Sequence, residues 1–158
     1  MPARKFGGAE LIKAVITRLK ADALTSSYSI YNYVPDTATL PYIRVSVPVG
    51  VRSDKFGSRD FEAEENTLAI DIWSDYMGSK EVAQIMNNIV QVLTGVSTFA
   101  MTGYPSPPLV SLEYHELMVD DAEPGRVMRH GIQHYIAHMI PGSCYGTFIY
   151  GDGTLYNA

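Results

Sequence analysis

The spacing of apolar residues changes once within the stretch from Phe61 to Gly95, and this change constrains the fold more than any other feature of the sequence. The first part alternates with a period of two, which is typical of a strand. The part after Gly78 has helical spacing. The strand face consists of Leu68, Ile70 and Ile72, and the helical stripe of Val82, Ile85, Met86, Ile89 and Leu93. No catalytic motif lies in the stretch, so it is predicted to be a scaffold.

Length, composition and net charge limit the class of protein. The chain has 158 residues, 46% of them hydrophobic, which fits one packed domain. The composition changes after Pro141, so we predict a domain at 1–141 and a C-terminal extension at 142–158. A net charge of −5 argues against broad affinity for nucleic acid. The lone Cys144 favours a reducing compartment. No apolar run predicts a membrane span or a signal core, so we expect a soluble protein made in a cytoplasm.

Read in order, the chain predicts α-β-β-α-β-β. The helices are placed at 8–25 and 79–94. The strands are placed at 42–47, 61–75, 109–121 and 126–140, and Pro48 is expected to end the first of them. Residues 26–40 are predicted as a loop with room for a short extended piece. The simplest packing is a four-stranded, mainly antiparallel sheet with both helices on one face. Such a sheet leaves its second face open, and we expect Tyr42, Trp73 and the last strand to contribute to that face.

The third and fourth strands carry mixed side chains. In the third, alternation places Val110, Leu112, Tyr114 and Met118 on one face. The fourth contains His130, His134 and His138. On a helix these three could bind zinc, but on a strand the outer two lie about 13 Å apart, too far for one ion. The surrounding β-branched and aromatic residues favour a strand, so no metal site is predicted.

The sequence contains no motif typical of a catalytic, cofactor-binding or metal site. The sequence has no GxGxxG, GxxxxGK[ST], GxSxG, HExxH or CxxC pattern. Glu62, Glu64 and Glu65 form an acidic patch without further carboxylates at metal-binding spacing, and Cys144 has no Cys/His/Asx arrangement around it. We therefore predict no catalytic residue, no metal and no cofactor.

Two segments are candidate contact surfaces. Residues 49–60 are predicted to form a long projecting loop that carries Arg52, Lys55, Phe56 and Arg59. This loop is either solvated or a contact arm for another subunit or for nucleic acid, and the aromatic Phe56 favours a protein contact. The extension contains Phe148, Tyr150 and Tyr156, and so many aromatic residues are unusual in a disordered tail. It is expected to order either against its own domain or against a neighbouring subunit.

The order of these elements resembles the tail terminator proteins of long-tailed bacteriophages, also called tail completion or head–tail joining proteins. The resemblance covers roughly residues 8–140. It is carried by the starting helix LIKAVITRLKAD, the strand PYIRV, the strand that ends in Asp71-Ile72-Trp73-Ser74, and the helix that ends in Leu93-Thr94-Gly95. The segment RVMRHGIQHYIAHMI is similar to the final strand of that family. The aromatic extension lies outside the resemblance.

The resemblance implies a structural virion protein at the head–tail junction, assembled in the host cytoplasm. Such proteins form a ring, commonly a hexamer, that ends polymerisation of the tail tube and presents a surface to the neck proteins of the head. DNA passes through the lumen without specific binding, and a chain that is not basic suits such a channel. The tail tube protein, a head-completion or neck protein and further copies of the chain are the implied partners. Two alternatives remain open, namely a head-completion or adaptor protein of the neck and a small α+β enzyme without a recognisable motif.

Overall fold

A computed structural model describes residues 7–53, 63–94, 99–104, 107–123 and 126–139. The two helices are α1 (Gly8–Ala21) and α2 (Lys80–Thr94). The five strands are β1 (Ser29–Tyr31), β2 (Tyr42–Ser53), β3 (Ala63–Ser74), β4 (Leu109–Glu123) and β5 (Arg126–Met139). The α+β class and the order of the larger elements were predicted correctly. No helix among the described residues is long and apolar enough to cross a bilayer.

Among the described residues the sheet has five strands rather than the four predicted, in the order β1-β2-β3-β5-β4. The additional strand β1 lies in the segment predicted as a loop and pairs in parallel with the start of β2, where Ile30 is opposite Ile43. All other neighbours are antiparallel. A strand of three residues is too short for alternation to reveal it in the sequence, so its pairing depends on the tertiary contact of Ile30 with the core.

The apolar core lies between one face of the sheet and both helices. Helix α1 packs against β1 and β2, and α2 packs against β3, β4 and β5. The predicted strand face of Leu68, Ile70 and Ile72 is fully buried, as are Val82, Ile85 and Ile89 of the predicted α2 stripe. Burial of each such side chain contributes about 1.5–3 kcal/mol. This layer therefore provides most of the driving force that holds the helices on the sheet.

Helix α1 ends four residues earlier than predicted. The backbone at Asp22 is extended, and its carboxylate accepts a hydrogen bond from the backbone N–H of Leu24 at 3.0 Å. The backbone N–H groups of Thr25 and Ser26 in turn bond to the carbonyl of Asp22. Such local bonds from Asp compete with helical bonds and favour a turn. The periodicity that continued to Ala23 did not show this competition.

The prediction that Pro48 ends β2 was wrong. The strand continues to Ser53, with a β-bulge between Ser46 and Val49. Residues in a bulge do not form the regular hydrogen bonds between strands. Proline, which has no backbone N–H, is therefore tolerated at this position. The predicted loop at 49–60 therefore begins as strand, and Arg52 lies opposite Glu64 in the ladder.

A second bulge corrects the predicted face of β4. The register shifts between Leu112, which pairs with Tyr135, and Tyr114, which pairs with His134. Because one extra residue reverses the alternation, Tyr114 and Met118 lie on the face opposite to Val110 and Leu112. Leu117 takes the inward position instead and packs against the core.

Helix α2 approaches β5 most closely at Gly131. A Cβ atom at this position would lie 2.7 Å from Val82 Cγ1 and 2.9 Å from Met86 Sδ. Beside it, the amide of Gln133 donates a hydrogen bond of 3.1 Å to the backbone carbonyl of Met86. The absent side chain thus sets the distance between the helix layer and the sheet.

We predict that Gly131→Ala lowers the free energy of unfolding by about 1–3 kcal/mol, because the added methyl group overpacks the contact with α2. Chemical denaturation followed by far-UV circular dichroism measures the change. Gly78→Ala is the matched control, since its Cβ would meet only the exposed ring of Tyr76 at 3.2 Å. Equal stability of the Gly131→Ala variant and the wild type would contradict the close packing.

Candidate interaction surface

The face of the sheet opposite the helices, termed the open face, is the candidate functional surface. Residues that pair directly across antiparallel strands lie on the same face, so the register defines its members. They include Tyr42 and Arg44 of β2, Asp71 and Trp73 of β3, His130, Ile132 and His134 of β5, and Tyr114, Glu116 and Met118 of β4. The predicted placement of Tyr42, Trp73 and the histidine-bearing strand on this face was correct.

An aromatic row crosses the open face near one end of the sheet. The register places Tyr42, Trp73, His130 and Met118 side by side on four neighbouring strands. The rings of Trp73 and His130 are stacked, with centroids 3.8 Å apart and an angle of 11° between their planes. Tyr31 of β1 extends the row through an edge contact with Tyr42 at 6.1 Å. Together these side chains form an aromatic row over β1, β2, β3 and β5, which Met118 continues on β4.

Asp71 connects this row to a charged group. Its carboxylate accepts two hydrogen bonds from Arg44, from Nη2 at 2.8 Å and from Nε at 3.1 Å. His130 Nε2 lies 3.0 Å from the other carboxylate oxygen. Burial alone would raise the pKa of Asp71, but the hydrogen bond with His130 and the charge and hydrogen bonds of Arg44 outweigh burial and lower the pKa. Asp71 therefore holds His130 and Arg44 in fixed positions on the open face.

The three histidines lie on one strand and one face, as the strand prediction required, and each has its own partner. His130 contacts Asp71, His134 lies beside the ring of Tyr114 at 5.7 Å, and His138 Nδ1 is 3.6 Å from a carboxylate oxygen of Glu65. Within the described ranges, no group of three or more His, Cys, Asp or Glu side chains is placed to hold a metal ion. These histidines thus act as separate polar contacts within an aromatic surface.

Of the predicted acidic patch, Glu64 has a structural contact that the sequence did not reveal. Its carboxylate accepts a hydrogen bond of 3.0 Å from the backbone N–H of Gly7, at the start of α1. A negative charge at this end complements the helix dipole. A methyl group on Gly7 would meet the ends of the side chains of Tyr104, Met139 and Glu64, so a larger residue here would displace the carboxylate of Glu64. The contact joins residues 57 positions apart, which explains why local patterns missed it.

Of the seven candidate contact residues, Arg52 alone lies among the residues that the structure describes. Arg52 belongs to strand β2 rather than to a loop. Lys55, Phe56 and Arg59 of the loop, and Phe148, Tyr150 and Tyr156 of the extension, lie outside the described residues, as do Cys144 and Glu62. The surface that the structure does describe, the open face, was expected from the fold but not included among the candidate residues. Its signal was the polar and aromatic half of each alternating strand.

A groove of about 450 Å³ lies on the helix side of the molecule. Its lining combines the outer side of α1, with Glu10, Lys13 and Arg18, and the segment that contains Phe99. Arg18 is paired with Asp22 at 3.3 Å. The lining thus consists mostly of charged and small side chains, with Phe99 as an aromatic ring.

The open face has the composition of a protein contact surface. Trp, Tyr and Arg are enriched where proteins bind each other, because they combine a large apolar area with a polar group. Edge strand β4 borders this face and exposes further apolar side chains, with Leu109 at 67% and Tyr114 at 45% exposure. The arrangement therefore suits binding of a macromolecule better than chemistry on a small one.

One comparison shows the family of the chain and another shows its fold. Residues 13–137 match the model of a family described as tail completion protein gp17. A solved chain titled "Virion of native gene transfer agent (GTA) particle" is similar with a TM-score of 0.61 and 16% identity, covering 85% of this chain and 96% of that one. Another solved chain has 12% identity and a TM-score of 0.49, covering 84% of this chain and 91% of that one. No curated protein matches the sequence.

We predict that Asp71→Asn lowers the free energy of unfolding by about 1–3 kcal/mol at pH 7, because Arg44 and His130 lose their charged partner. A carboxylate whose pKa is lowered by folding stabilises the folded state above its unfolded pKa, near 4, and that contribution is lost as the pH falls further. The difference between variant and wild type should therefore shrink below about pH 4.

Denaturation curves collected between pH 7 and pH 3 test this dependence. Asp36→Asn, which changes an exposed carboxylate, is the matched control and should show little difference at any pH. A difference for Asp71→Asn that stays constant over the whole range would rule out the proposed electrostatic role.

Proposed function

The chain belongs to the tail completion protein gp17 family, and on this premise we propose that it forms a ring that caps the tail tube of a phage. It is a structural protein of a phage tail. The proposed ring ends polymerisation of the tube and provides the surface on which the head joins, with DNA passing through its lumen. The family match over residues 13–137 is the observation that carries this proposal. The similar chain from a gene transfer agent virion is consistent with a role in a tailed particle.

The surface properties of the described residues support association between copies. A ring requires a heterologous contact, in which one patch of a subunit meets a different patch of its neighbour. The open face supplies one apolar and aromatic patch. The long edge strand β4 is bordered by a described strand on one side only, and such edges favour pairing with another chain unless they are covered.

The charge distribution suits a channel that releases DNA. Strand β4 carries five acidic residues, Glu113, Glu116, Asp120, Asp121 and Glu123, and no Lys or Arg. Its formal charge thus equals the net charge of the whole chain, −5. Tight binding to DNA requires several cationic contacts with phosphates, so a surface of this kind does not retain the genome during ejection. The lumen is therefore proposed to pass DNA without specific binding.

The contact residues proposed for the ring come from two segments. Arg52, Lys55, Phe56 and Arg59 form one set, at the end of β2 and beyond it, and Phe148, Tyr150 and Tyr156 of the extension form the other. The tail tube protein and a head-completion or neck protein are the proposed partners on the two sides of the ring. The proposed place is the head–tail junction of the virion, after assembly in the host cytoplasm, with six copies as the expected number.

Deletion of the gene from its phage tests the capping function. We expect lysates to contain tails that are longer than those of the wild type, or tails that do not join heads, because nothing stops polymerisation or presents the joining surface. Negative-stain micrographs give the distribution of tail lengths. Expression of the wild-type gene from a plasmid should restore tails of normal length.

Tails of normal length beside heads that leak DNA would contradict capping and would favour a head-completion protein of the neck. Wild-type virions labelled with an antibody against the protein provide the second measurement. Label at the distal tip of the tail, away from the head, would also contradict the proposed position.

A further inference from the structure

The open face retains apolar and aromatic side chains for which the described residues offer no full cover. Met118, Tyr114 and Leu109 are exposed by 37%, 45% and 67%, and Val49 and Val51 at the far end of β2 by 50% and 51%. Trp73 and Tyr42 are partly exposed at the centre of the aromatic row. Several exposed apolar side chains gathered on one face of a sheet are typical of a site of interaction.

The chain contains a segment with matching chemistry. The extension at 142–158 has no Lys or Arg and only one acidic side chain, Asp152. Its large apolar residues are Tyr145, Phe148, Ile149, Tyr150, Leu155 and Tyr156. It begins after the family match ends at residue 137, and it lies outside the described residues. A contact made by this segment is thus a property of this chain that the shared part of the family does not supply.

We propose that the extension of one copy lies across the open face of a second copy. This inference rests on the proposed ring and names the surface that receives Phe148, Tyr150 and Tyr156. Aromatic side chains of the extension would pack against the row formed by Tyr42 and Trp73, and the surface removed from water provides the driving force.

Charge favours the same pairing. Arg44 is half exposed, with 48% of its side-chain surface accessible, and it lies beside the aromatic row. Asp71 binds the guanidinium through Nε and one Nη, and the exposed part of the side chain can still donate to a partner. An extension without cationic residues approaches it without repulsion, and Asp152 supplies an opposite charge.

The length of the extension is compatible with its exchange between copies. An extended chain advances about 3.3 Å per residue, so 17 residues span about 55 Å, whereas five strands spaced by 4.8 Å are about 19 Å across. Strand β5 ends at Met139, opposite Glu64 at one end of the sheet. The aromatic row lies toward the other end of the sheet, at His130, nine residues or about 30 Å along β5, so an extended segment of 17 residues is long enough to cover that distance and to cross a sheet of this width.

The proposed ring needs a contact that repeats from each copy to the next. The extension and the open face are two different patches of one molecule, so their contact is heterologous and repeats from each subunit to the next. Contact of one open face with another would be isologous and would produce pairs rather than a ring. Exchange of the extension thus supplies the directional contact that ring closure needs.

The single tryptophan of the chain, Trp73, makes the proposal measurable because its emission reports the polarity of the open face. One full-length variant combines Phe148→Ser, Tyr150→Ser and Tyr156→Ser and keeps Trp73. A second full-length variant, Trp73→Phe, keeps the extension and emits no tryptophan signal. We expect the emission of the first variant to be shifted to the red relative to the wild type, and excess of the second variant to shift it back to the wild-type maximum.

A fourfold variant that carries Trp73→Phe together with the three serine substitutions is the matched control and should cause no shift when it is added. An absent shift on addition of the single Trp73→Phe variant overturns the proposal, and it indicates an extension that binds its own copy or another partner. Unchanged emission of the triple-serine variant on its own overturns it as well.

Sedimentation of the same samples separates this inference from the ring. If the triple-serine variant forms oligomers of wild-type size without any change in emission on mixing, the exchange is wrong and the ring proposal stands. If neither the variants nor the wild type associate at any concentration, the proposed contact between the extension and a second copy is overturned. The capping function is then still decided by the tail lengths of the phage that lacks the gene.

Discussion

Two helices cover one face of the sheet, and the burial of Leu68, Ile70 and Ile72 beneath them determines the orientation of every other strand. A slip of one residue in β3 would turn these three side chains outward, so the register is strongly specified. The partners of β3 on both sides follow from it, since β2 and β5 pair along nearly its full length. The close contact at Gly131 then fixes how near α2 lies to this layer.

The open face is the consequence of that one-sided burial. Because both helices lie on the same side, the alternate residues of β2, β3 and β5 have no covering layer among the described residues. They are nevertheless ordered by contacts with each other, through the stack of Trp73 on His130 and the bonds of Asp71 to Arg44 and His130. A surface organised before binding loses less conformational entropy when a partner arrives. This preorganisation suits the proposed contact between copies in a ring.

Sequence and structure agree where the apolar pattern is long. The period of two before Gly78 and the period of 3.6 after it predicted β3 and α2 to within two residues at most boundaries. Histidines at 130, 134 and 138 were placed correctly on a strand, because Gly131 and the β-branched neighbours favour that conformation. The prediction was wrong at Pro48, where β2 continues past a bulge. It was also wrong beyond Glu113, where a bulge reverses the exposed face of β4.

The sequence by itself determined the class of the fold, the order of the main elements, and the polar and aromatic half of β3 and β5 that became part of the open face. These properties follow from local periodicity, which a single chain displays directly. Tertiary structure alone decided the parallel strand β1, the two bulges, and the contacts of Asp71 with His130 and of Glu64 with the start of α1. Each of these joins residues that are distant in the chain or depends on which neighbour a strand finds, and no local pattern contains that information.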